Sequence, residues 1–191
     1  MTKATVYSPV LVVSATKAEA AHVPTGTRLL ITGLGKVTAA LALARVLAAA
    51  EHGGEPPVET VVNIGTAGAL HDRRSGLFLP SRVIEHDLDA DVLADLGYPV
   101  RAAWDIAGGD GTVLATGDTF VNDSRRRAEL ASVADLVDME GAALARVAAD
   151  FGVPLRLVKV VSDSADESAN DWPAQVDAAA RKLGRWVAQA R

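Results

Sequence analysis

Apolar residues along the chain fall into short runs separated by stretches with helical spacing, the alternation expected of an α/β protein. Leu11-Val12-Val13, Leu29-Leu30-Ile31 and Val61-Val62 read as buried strands, and each leads into Gly or small polar residues. From Lys36 to His52, Ala and Leu recur at helical spacing, and Gly53-Gly54 follows as a C-cap pair. A second helix is predicted from about Glu140 through Ala142-Ala143-Leu144-Ala145, stopping at Gly152 before Pro154 and a strand over Leu155 to Val161. The last helix is predicted from about Pro173 to Ala190, with Pro173 in its first turn, Asp171 as its cap and Leu183, Trp186 and Val187 on one packed face. Between His86 and Asp118 the pattern weakens to a short helix from Asp91 to Leu96, a turn at Gly108-Gly109-Asp110-Gly111 and a strand at Val113-Leu114-Ala115. No repeat or linker interrupts this order, so residues 1–191 are expected to form one domain. Function is expected at the strand ends, which open on a shared crevice in such a sheet.

Composition narrows the function by exclusion. The 191 residues are 49% apolar and 23% charged, with a net charge of −5, enough to bury a core and unlike a disordered chain. With no basic stripe beyond Arg125-Arg126-Arg127, neither nucleic acid nor an anionic membrane is an expected partner. No apolar run approaches the roughly 20 residues of a membrane span. The run Val10 to Val13 is also shorter than the apolar core of a signal peptide, and a cytoplasmic location is expected. The absence of cysteine excludes disulfides, thiolate catalysis and cysteine–zinc sites, leaving carboxylates, hydroxyls and four histidines for chemistry.

Several familiar motifs fail on their own terms. Gly33-Leu34-Gly35-Lys36 has the look of a phosphate loop, but Val37 stands where Ser or Thr would hold magnesium and Leu30 where the first Gly belongs. As a dinucleotide fingerprint it has Thr38 in place of the third Gly and lacks the acidic residue about 20 positions on. Asp87, Asp89 and Asp91 alternate as a calcium loop begins, yet Val92 and Tyr98 occupy the Gly and Glu positions, so a solvated acidic turn is expected. His22, His52, His71 and His86 lack ligand spacing and read as surface or loop histidines. Neither a metal nor a cofactor is expected.

Three carboxylates remain near the ends of predicted strands: Glu19, Glu140 and Asp163. Each has an ordinary structural reading, as a first-turn residue, a charge at a helix N-terminus and an Asx turn or cap. Together they predict one acidic cleft, because neighbouring strand ends open on the same side.

The segments Ala15-Thr16-Lys17-Ala18-Glu19, Thr32-Gly33-Leu34-Gly35-Lys36-Val37, Asn63-Ile64-Gly65-Thr66-Ala67-Gly68, Thr116-Gly117-Asp118-Thr119-Phe120-Val121-Asn122, Asp138-Met139-Glu140 and Val161-Ser162-Asp163-Ser164-Ala165-Asp166 occur in that order. In this the chain resembles the nucleoside phosphorylase/nucleosidase superfamily, and within it the 5′-methylthioadenosine/S-adenosylhomocysteine nucleosidases. The resemblance implies a three-layer α/β/α fold with a central mixed β-sheet, a homodimer, and a purine nucleoside with a modified 5′ position as substrate. It further implies a place in nucleoside metabolism and methionine salvage.

The resemblance also implies roles. Asp163, oriented by Ser162, would protonate the purine at N7, which requires a carboxyl pKa raised by burial. Glu19 would take the proton of the attacking water, and Glu140, with Met139 beside it, would hold the ribose hydroxyls and steady the positive sugar. Phe120 would stack on the base while the Val121 backbone bonds its edge. Thr66, Ala67 and Gly68 would contact the substrate, with Thr66 and Lys159 positioning water and Glu19. Lys159 stands where an Arg is more usual, exchanging a two-pronged contact for a point charge. Trp172 is a candidate lid. Asn63 occupies the place of the phosphate-binding Arg of the phosphorylases, which favours water as nucleophile over phosphate. Phosphorolysis and a non-catalytic nucleoside-binding module are the alternatives. Short segments at Ala20 to Thr32 and at His86 to Thr116 imply a more open 5′ side.

Overall fold

The structure, a computed structural model, describes residues 8–190, with the side chains of Ser168, Asp171 and Pro173 outside the description; the expected Asp171 cap therefore lies outside the described residues. In chain order the elements are β1 (Val10–Ser14), β2 (Leu29–Ile31), α1 (Lys36–Glu51), β3 (Thr60–Ala69), β4 (Leu77–Phe78), β5 (Arg82–Glu85), α2 (Ala90–Asp95), β6 (Ala103–Asp105) and β7 (Val113–Thr116). There follow α3 (Ser124–Ala131), β8 (Leu136–Asp138), α4 (Gly141–Asp150), β9 (Leu155–Asp163), a 3-10 turn (Glu167–Asp171) and α5 (Trp172–Gln189).

The strands form one nine-stranded sheet in the order β2-β1-β3-β8-β7-β5-β6, with β9 on the far edge of β3 and β4 beyond it. Pairings of β3 with β8, β4 with β9 and β5 with β6 are antiparallel and the others parallel, so the sheet is mixed, as the resemblance implied. Alternation along the strands builds the layers. Leu11, Val13, Val61, Leu155 and Leu157 join the core made with Ala39, Leu43 and Leu47 of α1 and Leu144 and Ala148 of α4. Their neighbours Val12, Val62, Val158 and Val160 point the other way, against Ala179, Leu183 and Val187 of α5. Ala115 and Val137 also face that second side, where Leu130 of α3 covers them. Both faces of the sheet are thus buried under helices.

The predicted elements stand within a residue or two of the observed ones, with one large exception. β3 continues past Val62 through Asn63-Ile64-Gly65-Thr66-Ala67-Gly68-Ala69, a stretch whose small and polar residues carry no strand signal. It is this half of β3 that forms the floor of the site.

Candidate active site

β3 is shared along one edge by two partners. β1 pairs with it over Thr60 to Asn63 and β8 over Gly68 and Ala69, so positions 64–67 lie between the two. Glu19, in the turn after β1, fills that notch. Its Oε1 accepts the N–H of Thr66 at 2.7 Å and the Thr66 hydroxyl at 2.8 Å. Its Oε2 accepts the Thr16 hydroxyl at 2.9 Å and the Thr16 N–H at 3.2 Å. The carboxylate thereby satisfies a strand-edge donor that a neighbouring strand would otherwise take, and it is only 4% exposed.

β8 delivers the second acid. Its last residue, Asp138, accepts the Thr116 hydroxyl at 2.5 Å and the N–H of Gly141 at 3.0 Å, fixing the start of α4. Glu140 is the residue before that helix, 7% exposed, and its Oε1 accepts the N–H of Gly35 at 2.8 Å. Lys159 of β9 lies beside Gly65 in register and reaches over it to Asp138, with Nζ to Oδ2 at 2.7 Å. A side chain on Gly65 would stand 3.3 Å from that Nζ and 3.2 Å from Glu19 Oε1, so the glycine leaves room for both groups. Burial, followed by the neighbouring Asp138 charge, pushes Glu140 up to about 7. Burial pulls Lys159 down, but Asp138 and Glu140 outweigh it and hold the ammonium above the ordinary lysine range.

The third acid closes β9, which runs two residues further than the predicted Val161 end. Asp163 accepts the Ser162 hydroxyl at 2.6 Å on Oδ2 and the Ala165 N–H at 2.9 Å on Oδ1. Here β3 approaches closely: a Cβ on Gly68 would meet the Ala165 Cβ at 2.8 Å and Asp163 Oδ1 at 3.1 Å.

These carboxylates line one open cavity. Thr66, Ala67, Gly68, Phe120, Val121, Met139, Ser162 and Trp172 line it too. Phe120 stands at the mouth, 44% exposed, and Val121 is buried. Lys159 is the one predicted site residue that is not in the lining; at 1% exposure it lies behind the floor, tied to Asp138, instead of beside a water in the cavity. Leu34, Thr119, Val137 and Asp138 also line the cavity and were not predicted. All four lie inside or next to the quoted motifs, but their spacing gives no sign that they face inward.

The hydrogen bonding of the Gly33 to Lys36 loop bears on the chemistry. The N–H groups of Gly33, Gly35 and Lys36 do not stand free for an anion. Gly35 N–H is bonded to Glu140, and Lys36 N–H to Asp118 Oδ1 at 2.8 Å, so protein carboxylates occupy the positive end of α1. The Lys36 ammonium is held at 2.6 Å by both Glu85 and Asp87. Burial opposes that charge, and the hydrogen bonds to Asp87 and Glu85 override it, raising Lys36 above the lysine norm. Asp87 is therefore an anchor for this loop, accepting also from Asp118 N–H at 2.9 Å, and not part of a merely solvated turn. Gly35 itself, at φ 90, has a backbone that a side chain would strain. Asn63, at the expected phosphate-arginine position, is 1% exposed and donates to the Val13 carbonyl in the core at 3.2 Å.

Comparison with known proteins follows the same lines. The phosphorylase superfamily model matches residues 110–190. A 5′-methylthioadenosine/S-adenosylhomocysteine nucleosidase of Geobacillus thermodenitrificans is 31% identical over 168 residues, covering 74% of this chain and 68% of the relative. An aminodeoxyfutalosine nucleosidase of Helicobacter pylori is 31% identical over 136 residues, 59% of each chain. In fold, the chain is similar to the 5′-methylthioadenosine/S-adenosylhomocysteine nucleosidase of Neisseria meningitidis crystallised with methylthio-immucillin-A. The TM-score is 0.78 at 24% identity, over 94% of this chain and 96% of that one.

Proposed function

We infer that this chain, which belongs to the 5′-methylthioadenosine/S-adenosylhomocysteine nucleosidase family, hydrolyses the N-glycosidic bond of adenine-type nucleosides with a modified 5′ position. The observation that carries the reading is that Glu19, Glu140 and Asp163 line a single cavity. Cleavage needs a proton on the departing purine and a nucleophile on the opposite face of a sugar that becomes positive. Asp163, steadied by Ser162, gives its proton to N7 and meets the exocyclic amine. Glu140 in its ionised form holds the ribose hydroxyls and stabilises the sugar cation, while Met139 packs beside it. Water then adds to the anomeric carbon, and its proton passes to Glu19. A hydroxyl that donates one proton can turn to accept, so Thr16 and Thr66 can adjust as Glu19 is protonated. Phe120 stacks on the base, and the Val121 backbone reads its edge.

Water is favoured over phosphate by the loop chemistry. A phosphate dianion entering beside Gly35 and Lys36 would have to displace Glu140 and Asp118 from the N–H groups, against the charges of Glu85 and Asp87. The proposal includes a homodimer in the cytoplasm, with a face for the second copy at the cavity mouth, where Leu34 is 57%, Val37 76% and Leu41 51% exposed.

The test is adenine release from 5′-methylthioadenosine by the purified chain, followed with and without phosphate. The expected result is free methylthioribose at a rate that phosphate does not change; methylthioribose phosphate as product would replace hydrolysis by phosphorolysis. Glu19→Gln and Asp163→Asn should each bind the nucleoside and lose about 10²–10⁴ in kcat. Binding by the wild-type chain without any base release would leave only a binding module.

A further inference from the structure

We infer that Trp172 is a positioning residue for the general base, acting through Thr66, and that the resulting chain Trp172–Thr66–Glu19 orients the carboxylate for proton uptake. The inference rests on the role of Glu19 proposed above. The indole Nε1–H donates to Thr66 Oγ1 at 2.9 Å, and the same hydroxyl donates to Glu19 Oε1 at 2.8 Å. An indole N–H is a donor only, so it engages a lone pair of the threonine oxygen and leaves the hydroxyl proton directed at the carboxylate. The Thr66 N–H reaches the same Oε1 at 2.7 Å, so the side chain and backbone of one residue grip one oxygen. Without the indole the Thr66 hydroxyl loses the donor that fixes its rotation, and its grip on Oε1 loosens.

A swinging lid would have its tip on a loop, whereas this indole begins α5, an 18-residue helix seated on the sheet by the buried Val176, Ala179, Leu183 and Val187. The chain from Asp163 to Trp172 is pinned along the way. Asp163 caps Ala165, Ala165 and Ala169 are fully buried, and the Ala169 N–H bonds the Asp166 carbonyl at 2.9 Å. One short, anchored connection therefore links the acid proposed for the purine to the residue that aligns the base.

The experiment is a double-mutant cycle on the full chain with 5′-methylthioadenosine. Trp172→Phe keeps the ring and removes the donor; kcat is expected to fall about five- to tenfold, the scale of one hydrogen bond, with KM changed by less than about twofold. Thr66→Val should also lower kcat, and the double variant should be no slower than Thr66→Val alone, because the indole then has nothing to orient. Thr66→Ser should restore both the rate and its sensitivity to Trp172→Phe. Fully additive effects, or an effect of Trp172→Phe carried by KM, would assign Trp172 to the cavity wall and overturn the inference. A second reading needs no turnover. The indole N–H resonance of Trp172, identified by its loss in Trp172→Phe, should shift in Thr66→Val and return in Thr66→Ser; an unmoved signal overturns the inference. A wild-type chain that releases no base overturns the hydrolase reading and this inference with it, whereas normal turnover with an additive cycle overturns this inference alone.

Discussion

Glu140 and Asp138 stand two positions apart around the start of α4, with the buried ammonium of Lys159 to offset them. Burial and Asp138 place the Glu140 titration at about 7 instead of 4.5, so between those values the folded chain keeps a proton that the unfolded chain releases. Stability of the free protein must then fall as pH rises across that window, by an amount on the order of 3 kcal/mol. Catalysis runs the other way. The role proposed for Glu140 needs its anion, so kcat/KM is expected to rise with pH through about 7. Lys159→Met tests both statements: without the cation the rising limb should move to higher pH. Leaving Asp138 unpaired should cost about 3–5 kcal/mol in denaturant melts. A limb that stays in place would show that another group sets it. At this scale the three acids read from the sequence do line one cavity, but what holds each of them there was not legible. Lys159 stands out as a departure from arginine, but its partner lies on another strand, reached across Gly65, and no spacing along the chain encodes that meeting.

Among the elements, legibility followed hydrophobicity. α1 was plain because Ala39, Leu43 and Leu47 repeat on one face of an Ala-rich helix, and β1 because every residue from Leu11 to Ser14 is buried. α3 was missed: its Ser124-Arg125-Arg126-Arg127 start reads as a charge cluster, yet Asp123 caps it by accepting the Arg125 N–H at 2.7 Å and the Arg126 N–H at 3.2 Å. β3 was half seen, because its second half is chosen for thinness, to let Glu19, Lys159 and Asp163 approach. Gly68 shows the constraint most sharply. An added methyl would press on the Ala165 Cβ at 2.8 Å and on Val137 Cγ1 and Asp163 Oδ1 at 3.1 Å, between β8 and β9. Gly68→Ala is expected to lower stability by about 1–3 kcal/mol through overpacking. It should also reduce kcat/KM well below the melting transition, because the displaced groups include Asp163, the acid proposed for the purine. Equal activity at 25 °C in a chain with a lowered Tm would mean that the strain relaxes away from the site.

At the scale of the whole molecule, the sheet accounts for where the cavity lies, and apolar residues stand exposed beside its mouth. α1 buries Ala39, Leu43 and Leu47, while Val37 and Leu41 on its other side, and Leu34 just before it, remain 76%, 51% and 57% exposed. The three recur at intervals of three and four, one side of a helix and its entry, so they form a stripe instead of scattered apolar residues. Leu34 also lines the cavity together with Phe120, so the stripe runs into the mouth of the site. A second copy seated there would add to the wall at the mouth of the cavity. An interface of standard size would need about 1,200–2,000 Å², more than the stripe alone supplies, so neighbouring polar surface must join it. Sedimentation of the wild-type chain is expected to give a dimer at micromolar concentration. Val37→Glu with Leu41→Glu should give a monomer with an unchanged circular dichroism spectrum, since both side chains face water in the isolated chain. If the second copy closes the mouth, the same variant should raise KM for nucleosides carrying long 5′ substituents more than for 5′-deoxyadenosine. A wild-type monomer that hydrolyses both substrates well would show that the cavity is complete within one chain and that the stripe serves another purpose.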